Sequence, residues 1–268
     1  LDYPLYRIEK NLLSTNLIPF NNLSEFNTYE IIYDSPINYS FKKELSTAIT
    51  YPEKDFLLSI NAGEMMIKGQ TGTFNDTTLV WMEKVSTPVN NLEKIISGPY
   101  KIGPELIALN KKVDLNFTIF DPSNLNSAGI YYFDESEKKW IYLKTEIDNQ
   151  KSQLKTKILS GGIFAALQEF NPPELKNLYP NIGATYLKKD LDYLEFFIED
   201  DFSGIDGENN IVIKIDDGKS LIFEYNIYQK RVYYPFNDLF SKGLHTLFIS
   251  AKDNVGNEKI VRGTFTVK

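Results

Sequence analysis

Cysteine is absent from the 268 residues, and histidine occurs once, at position 245. Without thiols there is no disulfide scaffold, no thiolate nucleophile and no cysteine-ligated zinc. With a single imidazole, a two-histidine zinc hydrolase centre cannot be assembled. No apolar run approaches the ~20 residues that span a bilayer as a helix. Phosphate loops of the Gly-x-x-x-x-Gly-Lys-Ser/Thr kind are missing, since Gly69-Gln70-Thr71-Gly72-Thr73 lacks the lysine and reads as a connection between strands. Basic charge is also short: 29 Lys and Arg stand against 36 Asp and Glu, for a net charge of −7 and a pI of about 5.0. The deficit is spread evenly. Residues 1–171 carry 17 basic and 21 acidic side chains and the remainder 12 and 15 (17 + 12 = 29, 21 + 15 = 36). No basic lobe exists to hold a phosphate backbone, so nucleic acid is not an expected partner. The opening Leu1-Asp2-Tyr3-Pro4 is neither an initiator methionine nor a signal peptide, and is read as a mature form or a piece of something longer.

What is plentiful is aromatic. Seventeen Tyr and 18 Phe help bring the aromatic share to 14%, a composition that favours strands. Apolar residues alternate with polar ones along much of the chain. Val113, Leu115, Phe117 and Ile119 fall on one face with Asp114, Asn116 and Thr118 opposite; Ile211, Ile213 and Ile215 repeat the pattern, as do Leu247, Ile249 and Ala251. Turn signals separate these runs. Asp134–Lys138 joins Ile130–Phe133 to Trp140–Leu143, Asp148–Lys151 joins the next pair, and Asp216-Asp217-Gly218-Lys219 joins two later strands. Helical patterning is limited to a turn or two over Asn90–Ile96 and Asp238–Ser241. The expected fold class is all-β, built of tandem antiparallel β-sandwiches. Asn171-Pro172-Pro173 marks a boundary, because Pro-Pro cannot continue a sheet interior; a second lies near Tyr51-Pro52. The expected organisation is a strand-rich segment over 1–50, a central sandwich over 51–171 and a C-terminal sandwich over 172–268. The first segment, with strands at Tyr29–Tyr33 and Asn38–Lys43, either finishes a preceding domain or adds strands to the next one.

Two stretches resemble known families. Phe56–Ile60, Asn61-Ala62-Gly63-Glu64, Thr78–Met82, Gly98-Pro99-Tyr100-Lys101-Ile102-Gly103-Pro104, Lys112–Leu115, Gly129–Asp134, Trp140–Leu143 and Gly161–Leu167 follow one another in the order of the β-sandwich shared by zonula-occludens and netrin-receptor proteins, in its bacterial surface-protein versions. Asn61 stands where that pattern has Pro, and Gly69–Gly72 adds a loop. Farther on, Asp200-Asp201-Phe202-Ser203-Gly204-Ile205-Asp206, Lys242-Gly243-Leu244-His245-Thr246-Leu247 and Ala251-Lys252-Asp253-Asn254-Val255-Gly256-Asn257 resemble a bacterial immunoglobulin-like domain. The resemblance implies that the C-terminal sandwich is immunoglobulin-like or fibronectin-like. The tandem is similar to C-terminal regions of large secreted bacterial proteins, some carrying a lysostaphin-like zinc peptidase upstream. A chain whose only imidazole is His245 does not inherit that peptidase's activity.

In an immunoglobulin-like module the early and late loops can share one end. That brings Asp200, Asp201, Asp206, Asp253, Asn254 and Asn257 forward as an oxygen-rich candidate for calcium, which takes 6–8 oxygen ligands. The plainer use of such residues is turn hydrogen bonding, with Ser203 and Asp253 accepting backbone N–H groups. His245 is expected simply to begin a strand, because a general base needs an orienting partner and a nucleophile. Tyr131, Tyr132, Trp140 and Tyr142, and again Tyr225, Tyr228, Tyr233 and Tyr234, suit either a sugar-stacking platform or ordinary cross-strand packing. Carboxylates such as Glu195, Glu199 and Asp200 are plentiful, but nothing sets two across one cleft as a glycosidase requires. The Asn-x-Ser/Thr triplets at Asn22, Asn38, Asn75 and Asn116 read as chance. The expectation is a non-enzymatic accessory or structural region, secreted, periplasmic or at the cell surface. Its expected role is to space, dock or adhere, with a protein or a cell-wall or surface polysaccharide as partner. No transmembrane segment and no cofactor are expected, with calcium as the alternative to plain turn bonding. The alternatives are an auxiliary region of a cell-wall metallopeptidase and a carbohydrate-binding module.

Overall fold

The computed structural model describes residues 5–9, 12–15, 27–34, 40–88, 94–105, 109–216, 218–236 and 240–268. Among them the regular elements are strands and short 3-10 turns, with no α-helix, so the all-β expectation holds. The physical reason is the period of two: an alternating pattern buries one whole face of a strand but would scatter its apolar residues around a helix. The helical turn expected over 90–96 lies partly outside the described residues, and its end belongs to the strand Lys94–Gly103. The turn expected over 238–241 begins outside the described residues, and Phe240 and Ser241 carry no regular structure. The chain forms two compact units: residues 1–87, 97–118 and 155–165, and residues 88–96, 119–154 and 166–268.

In the first unit, Asn27–Asp34 pairs antiparallel with Ser40–Thr50, which pairs with Thr78–Lys84, which in turn pairs with Lys94–Gly103. Asn27–Asp34 and Ser40–Thr50, both before Tyr51, thus share a sheet with Thr78–Lys84, whereas Leu5–Glu9 and Leu12–Thr15 pair only with each other. Asn38 and Tyr39, at the start of the strand expected over Asn38–Lys43, lie outside the described residues. A second sheet carries Phe56–Ile60, Met65–Gly69 and Val113–Thr118. Met82 and Tyr100 from the first sheet and Leu58, Met65, Ile67, Leu115 and Phe117 from the second are fully buried, and the rings of Tyr100 and Phe117 meet at 6.3 Å. The bend Asn61-Ala62-Gly63 turns the chain between Phe56–Ile60 and Met65–Gly69 with φ of 52°, 53° and 88°. That accounts for asparagine where the resembled pattern has proline: a pyrrolidine ring locks φ near −65°, and Asn tolerates the left-handed region. Just past this bend, buried Glu64 accepts hydrogen bonds from Ser97 Oγ at 2.7 Å, Gly98 N at 3.4 Å and the Asn61 amide.

The second unit holds the hairpin Ala128–Asp134 with Lys139–Leu143, in register from Ile130↔Leu143 to Asp134↔Lys139 as the turn signal predicts. Asp134 Oδ1 closes it by accepting the N–H groups of Ser136 and Glu137 at 2.8 and 3.1 Å. Two four-stranded sheets come next. One runs in the order Glu174–Tyr179, Tyr193–Glu199, Arg231–Pro235, Glu224–Asn226; the other Thr185–Tyr186, Glu258–Val267, Gly243–Lys252, Ile211–Ile215. All neighbours are antiparallel except the two-residue parallel pairing of Thr185–Tyr186 with Thr266–Val267. Leu194, Phe196, Ile198 and Val232 from one sheet meet Ile213, Leu247, Ile249, Ala251 and Phe265 from the other in one buried cluster. The turn at Asp216 forms, with Gly218 N donating to Ile215 O at 3.0 Å, but it does not join two strands of one ladder. The chain returns through a single bond, Leu221 N to Ile213 O at 2.8 Å, then crosses so that Glu224–Asn226 pairs with Arg231–Pro235 instead. Burying Phe223 in the core between the sheets accompanies that crossing.

Candidate functional site

Three loops of the second unit converge around carboxylates. The first leaves the strand Tyr193–Glu199. Asp200 Oδ1 accepts the N–H groups of Phe202 at 3.2 Å and Gly204 at 2.6 Å, which curls the loop back on itself, and Gly204 sits at φ +79°. Glycine suits that backbone because it has no Cβ to oppose it. The second loop links Gly243–Lys252 to Glu258–Val267. Asp253 Oδ1 accepts the N–H groups of Val255 at 3.0 Å and Asn257 at 2.8 Å, and its Oδ2 accepts from Asn257 Nδ2 at 2.8 Å. The two loops are clipped together by Asn254, whose Nδ2 donates to Ser203 O at 2.9 Å and whose N–H donates to Gly204 O at 3.0 Å. The third segment leaves the strand Gly162–Gln168 at Glu169, whose N–H donates to Ser127 O at 2.9 Å. Asn257 ties this segment in, accepting from Ser127 Oγ at 2.7 Å and donating to Glu169 O at 3.3 Å.

At the meeting point one carboxylate oxygen each of Glu169, Asp200 and Asp253 lies within 4.8 Å of the others. Glu169 and Asp253 are both only 3% exposed. Burial pushes the Glu169 carboxyl up to about 8; the Asp200 and Asp253 charges add to the rise, and the neighbouring Ser203 hydroxyl and N–H oppose it. Burial also raises Asp253, against its bonds from Asn257, with the Asp200 charge adding to the rise. Tyr131, stacked on Phe202 at a ring distance of 4.5 Å, has its phenol raised far above the ordinary range, first by burial and then by the Glu169 charge. Tyr131 Oη and Glu169 Oε2 are buried here without a hydrogen bond.

The six residues proposed for calcium do not gather as one set. Asp200 and Asp253 come together. Asp201 is exposed and pairs with Lys230 at 3.0 Å, and Asp206 is exposed and pairs with Lys144 at 3.3 Å. Asn254 and Asn257 spend their amides on the loops themselves. Turn hydrogen bonding does describe Asp253, whereas Ser203 Oγ accepts no backbone N–H; Asp200, at the strand end, takes that role through its bonds to Phe202 and Gly204. Glu169 went unnoticed because it lies 31 positions before Asp200 with no local motif around it; only the neighbouring turn signal Asn171-Pro172-Pro173 hinted that it ends a strand.

His245 is buried within the strand Gly243–Lys252. Its Nδ1 faces Asp216 Oδ2 at 2.6 Å, its Nε2 faces Ser241 O at 2.8 Å, and its ring stacks on Phe265 at 5.5 Å. The first aromatic hairpin belongs largely to packing: Tyr131 is fully buried and Trp140 is 5% exposed against Phe133. In the second group Tyr228 is 97% exposed at the tip between Glu224–Asn226 and Arg231–Pro235.

No family model matches the chain, and no curated protein does. Among solved structures it is similar to a chain described as the extracellular domain of a hybrid two-component system from B. thetaiotaomicron, at 13% identity and a TM-score of 0.27. That likeness takes in 80% of this chain and 31% of the length of the other, and at such a score the functional reading rests on this chain's own residues.

Proposed function

We propose that this chain is a non-catalytic module region of an extracellular or cell-surface protein, one that spaces, docks or adheres to a protein or a cell-wall polysaccharide. The observation that carries the reading is the state of His245. The only imidazole is buried, with one ring nitrogen on the Asp216 carboxylate and the other on the Ser241 carbonyl, so neither nitrogen is free to serve as a base or a metal ligand. The immunoglobulin-like reading of the C-terminal sandwich is supported by strand order. Numbered along the chain from Glu174, the sheets run first, third, sixth, fifth and second, eighth, seventh, fourth. That order is the one a constant-type arrangement, ABED and CFG, would give with a short second strand beside the last. Sandwiches of this kind bury their side chains between two sheets and leave function to loops and outer faces. A sugar-stacking platform has less support at the first hairpin, where Tyr131 and Trp140 face the core.

The test incubates the full chain with purified cell-wall sacculi and with generic peptide substrates, with and without zinc. The expected result is sedimentation with the wall, or with surface protein retained on it, and no release of soluble fragments under any condition. Metal-dependent cleavage that a chelator abolishes would overturn the proposal and favour a peptidase.

A further inference from the structure

We infer that Glu169, Asp200 and Asp253, together with the hydroxyls of Ser203 and Tyr131, form a binding site for calcium within the second unit. The first observation is convergence. The three carboxylates come from three segments far apart in sequence, yet one oxygen of each lies within 4.8 Å of the others. Among the described residues no lysine, arginine or histidine pairs with any of them; the nearby basic groups are engaged elsewhere, Lys230 with Glu199 and Asp201 and Lys144 with Asp206. Bringing charges of one sign together out of water is costly unless something of the opposite sign joins them.

The second observation is independent of the acidic groups. Tyr131 is fully buried and its hydroxyl makes no hydrogen bond, and Ser203, 3% exposed, has its hydroxyl beside the Glu169 carboxyl. The Tyr131 phenol is close enough to the cluster to feel the charges of Glu169, Asp253 and Asp200. A buried hydroxyl left without a partner forfeits the bonds it had in water, and such groups in folded proteins call for an explanation. Glu169 Oε2 is a second unpartnered oxygen in the same cluster.

The donor set selects the ion. Every group offered is oxygen, with neither sulfur nor imidazole, which suits calcium or magnesium rather than zinc or copper. Calcium is favoured of the two because it accepts an irregular shell of 6–8 oxygens, whereas magnesium demands a near-ideal octahedron. Asp253 retains capacity to join: a carboxylate has about four acceptor positions, and Asp253 has committed three to Val255, Asn257 N and Asn257 Nδ2. The site differs from the sequence expectation in its members, since Glu169, Ser203 and Tyr131 replace Asp201, Asp206, Asn254 and Asn257. Occupation would tie the end of Gly162–Gln168 to the two loops of the C-terminal sandwich. The inference does not depend on whether the chain spaces, docks or adheres.

The test uses the full chain, stripped with chelator and then titrated with calcium or with terbium, whose emission is sensitised by nearby aromatic side chains. The expected result is saturable terbium emission that calcium displaces, and a melting temperature that rises with calcium as linkage requires. Glu169→Gln and Asp200→Asn are expected to weaken binding by about tenfold or more, each removing a charged ligand. Glu169→Gln should melt in chelator no lower than the parent, because without metal the Glu169 carboxyl, raised to about 8, is already largely protonated at neutral pH and the amide is its uncharged counterpart; this separates lost binding from lost folding. Asp201→Asn and Asp206→Asn serve as controls that leave the titration unchanged. Equal melting in chelator and in calcium, with no saturable terbium signal, would overturn the site and leave a proton on Glu169 as the balancing charge. Loss of the titration in the Asp201 or Asp206 variants would overturn it as well.

Discussion

Nδ1 of His245 lies 2.6 Å from Oδ2 of Asp216, while the opposite ring nitrogen faces the carbonyl of Ser241 at 2.8 Å. A carbonyl oxygen only accepts, and a carboxylate beside the other nitrogen favours the doubly protonated, charged ring. Phe240 and Phe265 flank it, and Asp216 is the carboxylate that balances its charge. Burial alone would lower the His245 value, but the bond to Asp216 outweighs it and holds His245 above 6.5. Burial alone would raise Asp216, but His245 and the Thr246 N–H hold it below 3.8. The histidine's contribution is fully present below pH 6.5 and is lost as pH rises through its higher folded value; the aspartate's is present above pH 3.8 and is lost as pH falls through its lower one. The pair is therefore expected to stabilise the fold most between these two values. The stability difference between the parent and His245→Gln, followed by urea denaturation across pH, should be largest inside that window and shrink on both sides. A difference that stays flat with pH would count against the ion pair.

Glu64 performs a comparable task in the first unit with hydrogen bonds. Burial works against its charge, but donors from Ser97, Tyr100, Asn61 and the Gly98 N–H prevail and hold the carboxyl below 4.5. Its stabilisation is present above that value and lost as pH falls through the lower folded value. Glu64→Ala is expected to cost about 1–3 kcal/mol at neutral pH, since it strands donors that are buried. The same comparison in strong acid should show a smaller gap, and an undiminished gap there would refute the role of the charge.

Asp253 organises the turn between the two longest strands of the C-terminal sandwich through three accepted hydrogen bonds. Asp253→Ala is expected to cost roughly 1–3 kcal/mol even in chelator, because the N–H groups it serves are left unpaired. Chemical denaturation of the metal-free protein measures this. An unchanged midpoint would mean that the loop holds its shape without the carboxylate.

Trp140 tests the packing reading of the first aromatic hairpin. It is 5% exposed and meets Phe133 edge to face at 5.1 Å. Trp140→Ala is expected to destabilise by about 3–5 kcal/mol, as removing a large core aromatic does. Tyr228→Ala, at a fully solvated tip, should leave the melt almost unchanged. If instead Trp140→Ala melted like the parent while losing polysaccharide binding, the hairpin would be a sugar platform after all.

Much of the architecture was legible in the residues alone, wherever the information is local. Alternation over Val113–Ile119 and Leu247–Ala251 named the buried faces, because a strand turns alternate side chains to opposite sides. Asp134 announced its hairpin, because its side chain reaches the N–H groups two and three positions on. The turn held by Asp253 was likewise visible, whereas in the other loop the turn bonds fall to Asp200 rather than to Ser203. Pairing at a distance was not legible. Nothing near Asp216 says that the chain will leave its partner strand after Leu221 and cross to the other sheet. Nothing near Asp201 or Asp206 says that they will turn to Lys230 and Lys144 while Asp200 turns inward. Glu169 reached the carboxylate cluster only because the end of Gly162–Gln168 is carried to the two loops. Which side chains share one point in space depends on register and crossing, set by the burial of whole faces. Local sequence therefore determined the strands and turns, and only tertiary packing decided which of the many carboxylates would be left facing one another out of water.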